Sequence, residues 1–227
     1  MSVTIAYLHT SHVLIPMFSE LSNQELPGVD QFHMVDESLI RNTIRAKQLT
    51  GTTIRRVLNM VQSARDGGAD AVVVTCSSIG PAAEVARGLF DFPVVRVDEA
   101  MAEQAVRTGR RIGVTATLRT TLEPTVALLR EKAQAAHRQV DVVESLCEGA
   151  FDAVLSGDTV THDRLLLDSL ERLMSAVDVI VLAQASMARV VDAMPESAGR
   201  IPILSSPQLA VRRARSLLFP DSAAGLQ

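Results

Sequence analysis

Two stretches of this chain lie over each other, residue for residue. Val72-Val73-Val74-Thr75-Cys76-Ser77-Ser78 matches Ile180-Val181-Leu182-Ala183-Gln184-Ala185-Ser186, so Cys76 falls on Gln184 at an offset of 108 (76 to 184). Pro93-Val94-Val95 falls on Pro202-Ile203-Leu204 at 109 (93 to 202), and Val3-Thr4-Ile5-Ala6 on Arg111-Ile112-Gly113-Val114 at 108 (3 to 111). Three strand-sized apolar runs at a near-constant offset predict an internal duplication. A chain built this way is restricted to two similar units, each with its own sheet.

The pattern between the runs sets the type of sheet. Apolar runs at Val3–Leu8, Gln31–Val35, Val72–Val74 and Pro93–Val97 alternate with helical stretches, including Thr52–Asp66 with Ile54, Val57, Leu58 and Val61 on one stripe. Gly67-Gly68 stops that helix. The alternation restarts with strands at Arg111–Val114, Val140–Ser145, Val179–Leu182 and Ile203-Leu204. Helices are expected over Ser38–Gln48, Leu122–His137, Gly149–Leu155, Thr161–Ala176, Ala185–Met194 and Gln208–Leu218. Strands and helices in alternation with short connections give an α/β fold of two four-stranded parallel sheets with helices on both faces. The first domain is expected over 1–98 plus 207–227 and carries Cys76; the second covers 99–206 and carries Gln184. The carboxyl ends of the strands in both halves are expected to enclose one cleft. Pro220–Gln227 reads as a frayed tail.

Composition excludes several classes of partner. A net charge of -4 and 3% aromatics without Trp argue against nucleic acid, which needs basic patches or stacking platforms. The longest apolar runs are strand-sized, too short to span a membrane. The N-terminus enters a strand at once, without the layout of a signal peptide. Two cysteines, Cys76 and Cys147, without zinc spacing, fit a cytoplasmic, reduced protein with no metal.

Chemistry concentrates where the strands end. Cys76 stands at the end of an apolar strand, beside Thr75, Ser77 and Ser78, with Gly80-Pro81 opening a helix. A thiol acts as its thiolate, and a helix N-terminus lowers its pKa. Cys76 is therefore the candidate base or nucleophile, and Thr75, Ser77 and Ser78 are candidate substrate donors. In the second half Thr115, Thr117, Thr120 and Thr121 follow the first strand. Thr117 is the candidate carboxylate ligand there, while capping suits Thr120 or Thr121. Gln184 and Ser186 are candidate substrate ligands by their match to Cys76 and Ser78. His9 and His12 follow the first strand and are expected near the cleft mouth as proton shuttles or ligands. Asp36-Glu37 and Asp98-Glu99 close strands and read as helix caps. His162-Asp163 reads as a solvated first helical turn and Cys147 as buried filler.

These residues carry a family resemblance. Thr75-Cys76-Ser77-Ser78-Ile79-Gly80 after an apolar strand resembles the first catalytic segment of the aspartate/glutamate/hydantoin racemase superfamily. Arg96-Val97-Asp98-Glu99-Ala100-Met101-Ala102 resembles the next segment. Arg111-Ile112-Gly113-Val114-Thr115-Ala116-Thr117, with Thr120-Thr121-Leu122-Glu123-Pro124-Thr125, resembles the start of the family's second half. The resemblance covers nearly the whole chain in order. It implies a cofactor-independent enzyme acting at the carbon next to a carboxylate of a small acid, and self-association of the chain. It also implies two thiols flanking the substrate, one removing and one returning the α-proton. Cys76 matches the first thiol. Gln184 stands at the second, and an amide moves no proton.

Three readings follow. The first is a racemase or isomerase of a small carboxylic acid, with Cys76 as thiolate base or nucleophile, Gln184 binding substrate, and His9, His12 or Glu148 as partner acids. The second is a single-thiol decarboxylase or lyase of a malonate-like acid. The third is a non-catalytic protein that binds small carboxylates.

Overall fold

The computed structural model describes residues 2–192 and 201–220, and it divides into two compact units. One runs up to Val97 and resumes at Pro207; the other is Asp98–Ser206.

The first unit contains β1 (Thr4–His9), α1 (Ile15–Glu25), β2 (Asp30–Val35), α2 (Glu37–Ala46), α3 (Gly51–Asp66), β3 (Ala71–Val74), α4 (Gly80–Arg87) and β4 (Val94–Arg96). Its strands are all parallel, in the order β2-β1-β3-β4. β3 is buried along its whole length, as expected of a β-branched strand covered on both faces. One face packs Ala6, Leu8, Val72 and Val74 against Leu39 of α2, Val57 and Val61 of α3, and Ala83 and Ala86 of α4. The other packs Ile5, Tyr7, Val73 and Val95 against Phe18 of α1.

The second unit contains α5 (Glu99–Thr108), β5 (Arg111–Ala116), α6 (Arg119–Ala135), β6 (Asp141–Leu146), α7 (Ala150–Leu155), α8 (Thr159–Met174), β7 (Val179–Leu182), α9 (Ala188–Asp192) and β8 (Ile203–Leu204). Its sheet repeats the first, with parallel order β6-β5-β7-β8. Ile180 and Leu182 pack on Leu166, Leu170 and Leu173 of α8 and on Val190 of α9. The last helix, α10 (Ser206–Leu218), returns to the first unit, where Ala210, Val211 and Ala214 join the Phe18 side of the core.

Helix starts follow capping chemistry. Asp36 accepts from the Ser38 N–H at 3.0 Å to open α2, and Thr50 accepts from the Thr53 N–H at 3.2 Å to open α3. Asp158 does the same for α8 through the Thr161 N–H. Three expectations are corrected. Asp98 precedes α5 but does not cap it with its side chain. α6 starts at Arg119, so Thr120 and Thr121 lie inside the helix rather than capping it. The sequence favours a start at Leu122 because that leaves Pro124, which has no N–H, in the first turn; the helix instead carries Pro124 in its interior. The helix expected over Ala185–Met194 begins as a 3-10 turn at Ala185–Met187 and continues as α9 to Asp192; residues 193 and 194 lie outside the described residues. So does 221–227, nearly all of the stretch read as a tail. Among the described residues no helix is long and apolar enough to cross a membrane.

The duplication holds in hydrogen bonding, with one shift. The Thr75 N–H donates to Leu8 O at 3.0 Å, and the Ala183 N–H donates to Thr115 O at 3.0 Å. Asp70 N–H donates to Thr4 O, and Asp178 N–H to Arg111 O. β3 therefore lies over β7 at 108 (75 to 183), as read in the sequence, but β1 lies over β5 at 107 (8 to 115). A strand buried on both faces is apolar at nearly every position, so its pattern carries little phase information. The one-residue shift makes Thr10, not His9, the counterpart of Thr117.

Candidate active site

In an open parallel sheet, ligands bind beyond the carboxyl ends of the strands, at the point where strand order reverses. In the first unit that point lies between β1 and β3, whose connections leave to opposite sides. Leu8 pairs with Val74, so His9-Thr10 and Thr75-Cys76 emerge side by side. In the second unit it lies between β5 and β7. Thr115 pairs with Leu182, so Ala116-Thr117 and Ala183-Gln184 emerge together.

Cys76 is the extended residue before a 3-10 turn over Ser77–Ile79 that runs into α4. As a whole residue Cys76 is half-buried. Burial pushes the thiol above its ordinary pKa, and four donors pull the other way: the Thr10 hydroxyl, the Ser78 and Ile79 N–H groups and the Ser78 hydroxyl. A helix start on its own would lower the thiol pKa. The N–H groups are in place, but loss of water outweighs them.

Thr75 and His9 do not face outward as expected. Both are almost fully buried. The Thr75 hydroxyl spends its one hydrogen on Leu8 O at 2.9 Å, so His9 Nδ1, 2.8 Å away, carries its proton and donates to the Thr75 oxygen. His9 Nε2 lies 2.9 Å from His33 Nδ1, and Ser19 Oγ lies 2.9 Å from His33 Nε2. Tyr7 and His33 stack with ring centres 5.3 Å apart. The result is a polar wire, Thr75–His9–His33–Ser19, running away from the strand ends. Burial, reinforced by the neighbouring His33, lowers the His9 pKa to about 4, so the ring is neutral at neutral pH. A fully buried ring with both nitrogens engaged is not at a cleft mouth. His12 is exposed instead, paired with Glu37 at 2.6 Å.

Gln184 occupies the place of Cys76 with nearly the same backbone, φ -125° and ψ 133° against -124° and 118°. Its Oε1 accepts from the Thr117 N–H at 2.7 Å and from the Thr117 hydroxyl at 2.9 Å. Thr117 is buried, Gln184 half-buried, and Ser186, two residues into the 3-10 turn, is exposed. Cys147 is buried 3.3 Å from the Thr115 hydroxyl, which also reaches Ser169 at 2.8 Å. His162 is buried too, not solvated, with Nδ1 2.8 Å from Asp163, which the Arg189 guanidinium grips at 3.0 and 2.6 Å.

The structure thus groups the candidates in two sets: Cys76 with Ser77 and Ser78, and Gln184 with Thr117. It adds Thr10, which the sequence reading passed over. The signal was present in the Thr that follows β1, hidden by the one-residue offset.

A family model described as Asp/Glu/Hydantoin racemase matches residues 9–214. Among solved structures, the chain is similar to the allantoin racemase from Klebsiella pneumoniae, with 20% identity, a TM-score of 0.72, and coverage of 99% of this chain and 89% of that one. It is similar to the glutamate racemase from Francisella tularensis subsp. tularensis SCHU S4 in complex with D-glutamate, at 14% identity, a TM-score of 0.76, and coverage of 97% and 82%. It is also similar to the Picrophilus torridus aspartate racemase, at 12% identity, a TM-score of 0.70, and coverage of 98% and 95%. No curated protein sequence matches.

Proposed function

Since this chain belongs to the Asp/Glu/Hydantoin racemase family, and so to racemase-type isomerases, we propose that it acts at the carbon next to the carboxylate of a small acid, with the Cys76 thiolate as base or nucleophile. The observation that carries the reading is the place of Cys76, at the end of β3 beside the end of β1 and at the start of the Ser77–Ile79 turn into α4, where Thr10, Ser78 and Ile79 supply donors that draw its pKa down. An inert core cysteine has no reason to collect two hydroxyls and two backbone N–H groups. Such donors favour the thiolate once a base or bulk water removes the proton.

As a base, the thiolate takes the α-proton. The carbon keeps the electron pair, which delocalises into the adjacent carboxyl or carbonyl as an enolate. Holding that charge is the costly part of the step and needs fixed donors. No cofactor is required for this sequence. Returning the proton to the same carbon from the other face completes a racemisation.

Gln184 favours a second reading, a single-thiol reaction. An amide neither gives nor takes a proton at neutral pH. Loss of carbon dioxide from a malonate-like acid leaves a carbanion that needs one proton from one donor, and Cys76 suffices for it. Nuclear magnetic resonance in heavy water separates the two. Amino acids, hydantoins, malonates and maleate are incubated with the enzyme. Inversion with deuterium at the α-carbon supports the racemase; decarboxylation or cis–trans isomerisation without inversion supports the single-thiol reaction.

A further inference from the structure

Gln184 is held in one orientation by chemistry that leaves no choice of flip. A backbone N–H can only donate, and an amide nitrogen does not accept. The Thr117 N–H at 2.7 Å therefore fixes the oxygen end of Gln184 toward Thr117. The Thr117 hydroxyl donates to the same oxygen at 2.9 Å, which fills both of its lone pairs. The two hydrogens on Nε2 then point away from Thr117, and Nε2 has no hydrogen-bond partner among the described residues. The residue is half-buried and Nε2 is not sealed from water as a fully buried unpartnered atom would be, so this end keeps contact with solvent at the strand ends between β5 and β7.

We infer that Gln184 is a pre-oriented donor that takes an sp2 oxygen of the substrate, and that Thr117 is the positioning residue that sets its direction. The inference rests on the reading that a small acid or a cyclic amide related to it binds at these strand ends. It differs from a proton-transfer role at the same position. The amide is neutral and stationary, and its donors are aimed before the ligand arrives, which lowers the cost of ordering them on binding. A carboxylate placed there instead would keep the bonds from Thr117 through one oxygen and turn its other oxygen, an acceptor, toward the ligand.

The probes are malonate, which offers carboxylate oxygens, and hydantoin, which offers uncharged ring carbonyls. The readout is the pair of Gln184 side-chain amide proton resonances in the 15N-labelled full-length protein, identified by their loss in Gln184→Glu. The expected result is a downfield movement on adding a probe, with at least tenfold weaker probe binding in Gln184→Glu and a few-fold weakening in Thr117→Val, which keeps the backbone donor. Movement with malonate alone assigns a carboxylate oxygen, and movement with hydantoin alone a ring carbonyl. Cys76→Ala carries the same measurement: if turnover survives that substitution while the resonances still move, the thiol reading fails and this one stands. Resonances that neither probe moves overturn the inference, as does unchanged probe affinity in both Gln184→Glu and Thr117→Val.

Discussion

Thr10 stands beside Cys76 across the ends of β1 and β3, where its hydroxyl draws the thiol pKa down, at the position from which the Thr117 hydroxyl bonds Gln184 across β5 and β7. The duplicated fold has kept one device, a threonine after the first strand gripping the residue that follows the third. On one side it holds a group that can lose a proton, on the other a group that cannot. Replacing Thr10 by Val removes a donor to the thiolate. A hydrogen bond to a charged group is worth about 1.5–3 kcal/mol, and roughly one pKa unit is 1.36 kcal/mol. Iodoacetamide should then alkylate Cys76 roughly tenfold more slowly at fixed pH in Thr10→Val, as followed by mass spectrometry of the Cys76 peptide. An unchanged rate would remove Thr10 from the site.

Activity should rise with pH. Burial holds the Cys76 thiol above its ordinary pKa in spite of its four donors, so the protonated form dominates at neutral pH and the thiolate fraction grows as pH rises. The rate at low substrate should climb about tenfold per unit through the neutral range and level off only above the ordinary cysteine pKa. A plateau already present at pH 7 would contradict a thiol held above its ordinary pKa by burial.

The His9–His33 pair should make the fold sensitive to acid. The folded His9 pKa is about 4 against 6.5 in an unfolded chain. The unfolded state therefore binds the extra proton first, between these two values. The stabilisation from keeping His9 neutral is fully present above pH 6.5 and is lost as pH falls toward 4. Its size is about 3 kcal/mol, and the lowered His33 pKa acts in the same direction. Urea midpoints at pH 7 and pH 4.5 measure it. His9→Gln should lower stability at pH 7 and flatten the pH dependence; a steep dependence that persists in the variant would place the effect elsewhere.

Gly80 tests the support beneath the thiol. Its backbone is ordinary helix, φ -52° and ψ -41°, so freedom of φ is not what the position requires. A Cβ there would sit 2.5 Å from Arg96 Nε and 3.0 Å from Arg96 Cζ. Arg96 is buried and paired with Glu84, so it has little room to give way. Gly80→Ala should cost about 1–3 kcal/mol by chemical denaturation and slow turnover by disturbing the Ser77–Ile79 turn. Ordinary helix propensity alone would give a gain of about 1 kcal/mol instead, so a stabilised variant contradicts the packing argument.

The sheet architecture and the place of the thiol were legible because both rest on local signals. β3 is an unbroken β-branched run, and Cys76 is the polar break that ends it. The duplication was legible through β3 and β7, whose ends differ from their interiors. The register of β1 against β5 was not, because Thr4–His9 and Arg111–Ala116 are apolar and buried along most of their length, leaving no polar mark to fix the phase. That slip hid Thr10. The inward turn of His9 was hidden for a different reason. Its partners, Thr75 and His33, lie 66 and 24 residues away in the chain, and only pairing of three strands brings them together. In the sequence Gly80 is only half of the Gly80-Pro81 pair that opens a helix, whereas the structure shows a close approach by Arg96, a contact no local pattern encodes.

The most direct test compares wild type with Cys76→Ser on whichever acid of the heavy-water panel is turned over, following deuterium at the α-carbon and the fate of the carbon skeleton. A serine keeps the shape and the hydrogen bonds of the site but has no usable anion at neutral pH. The account predicts a loss of at least about a thousandfold in every bond-making step at that carbon, on the order of what removing an essential acid–base group costs. Turnover within a few-fold of wild type in Cys76→Ser would contradict it and move the chemistry away from the end of β3.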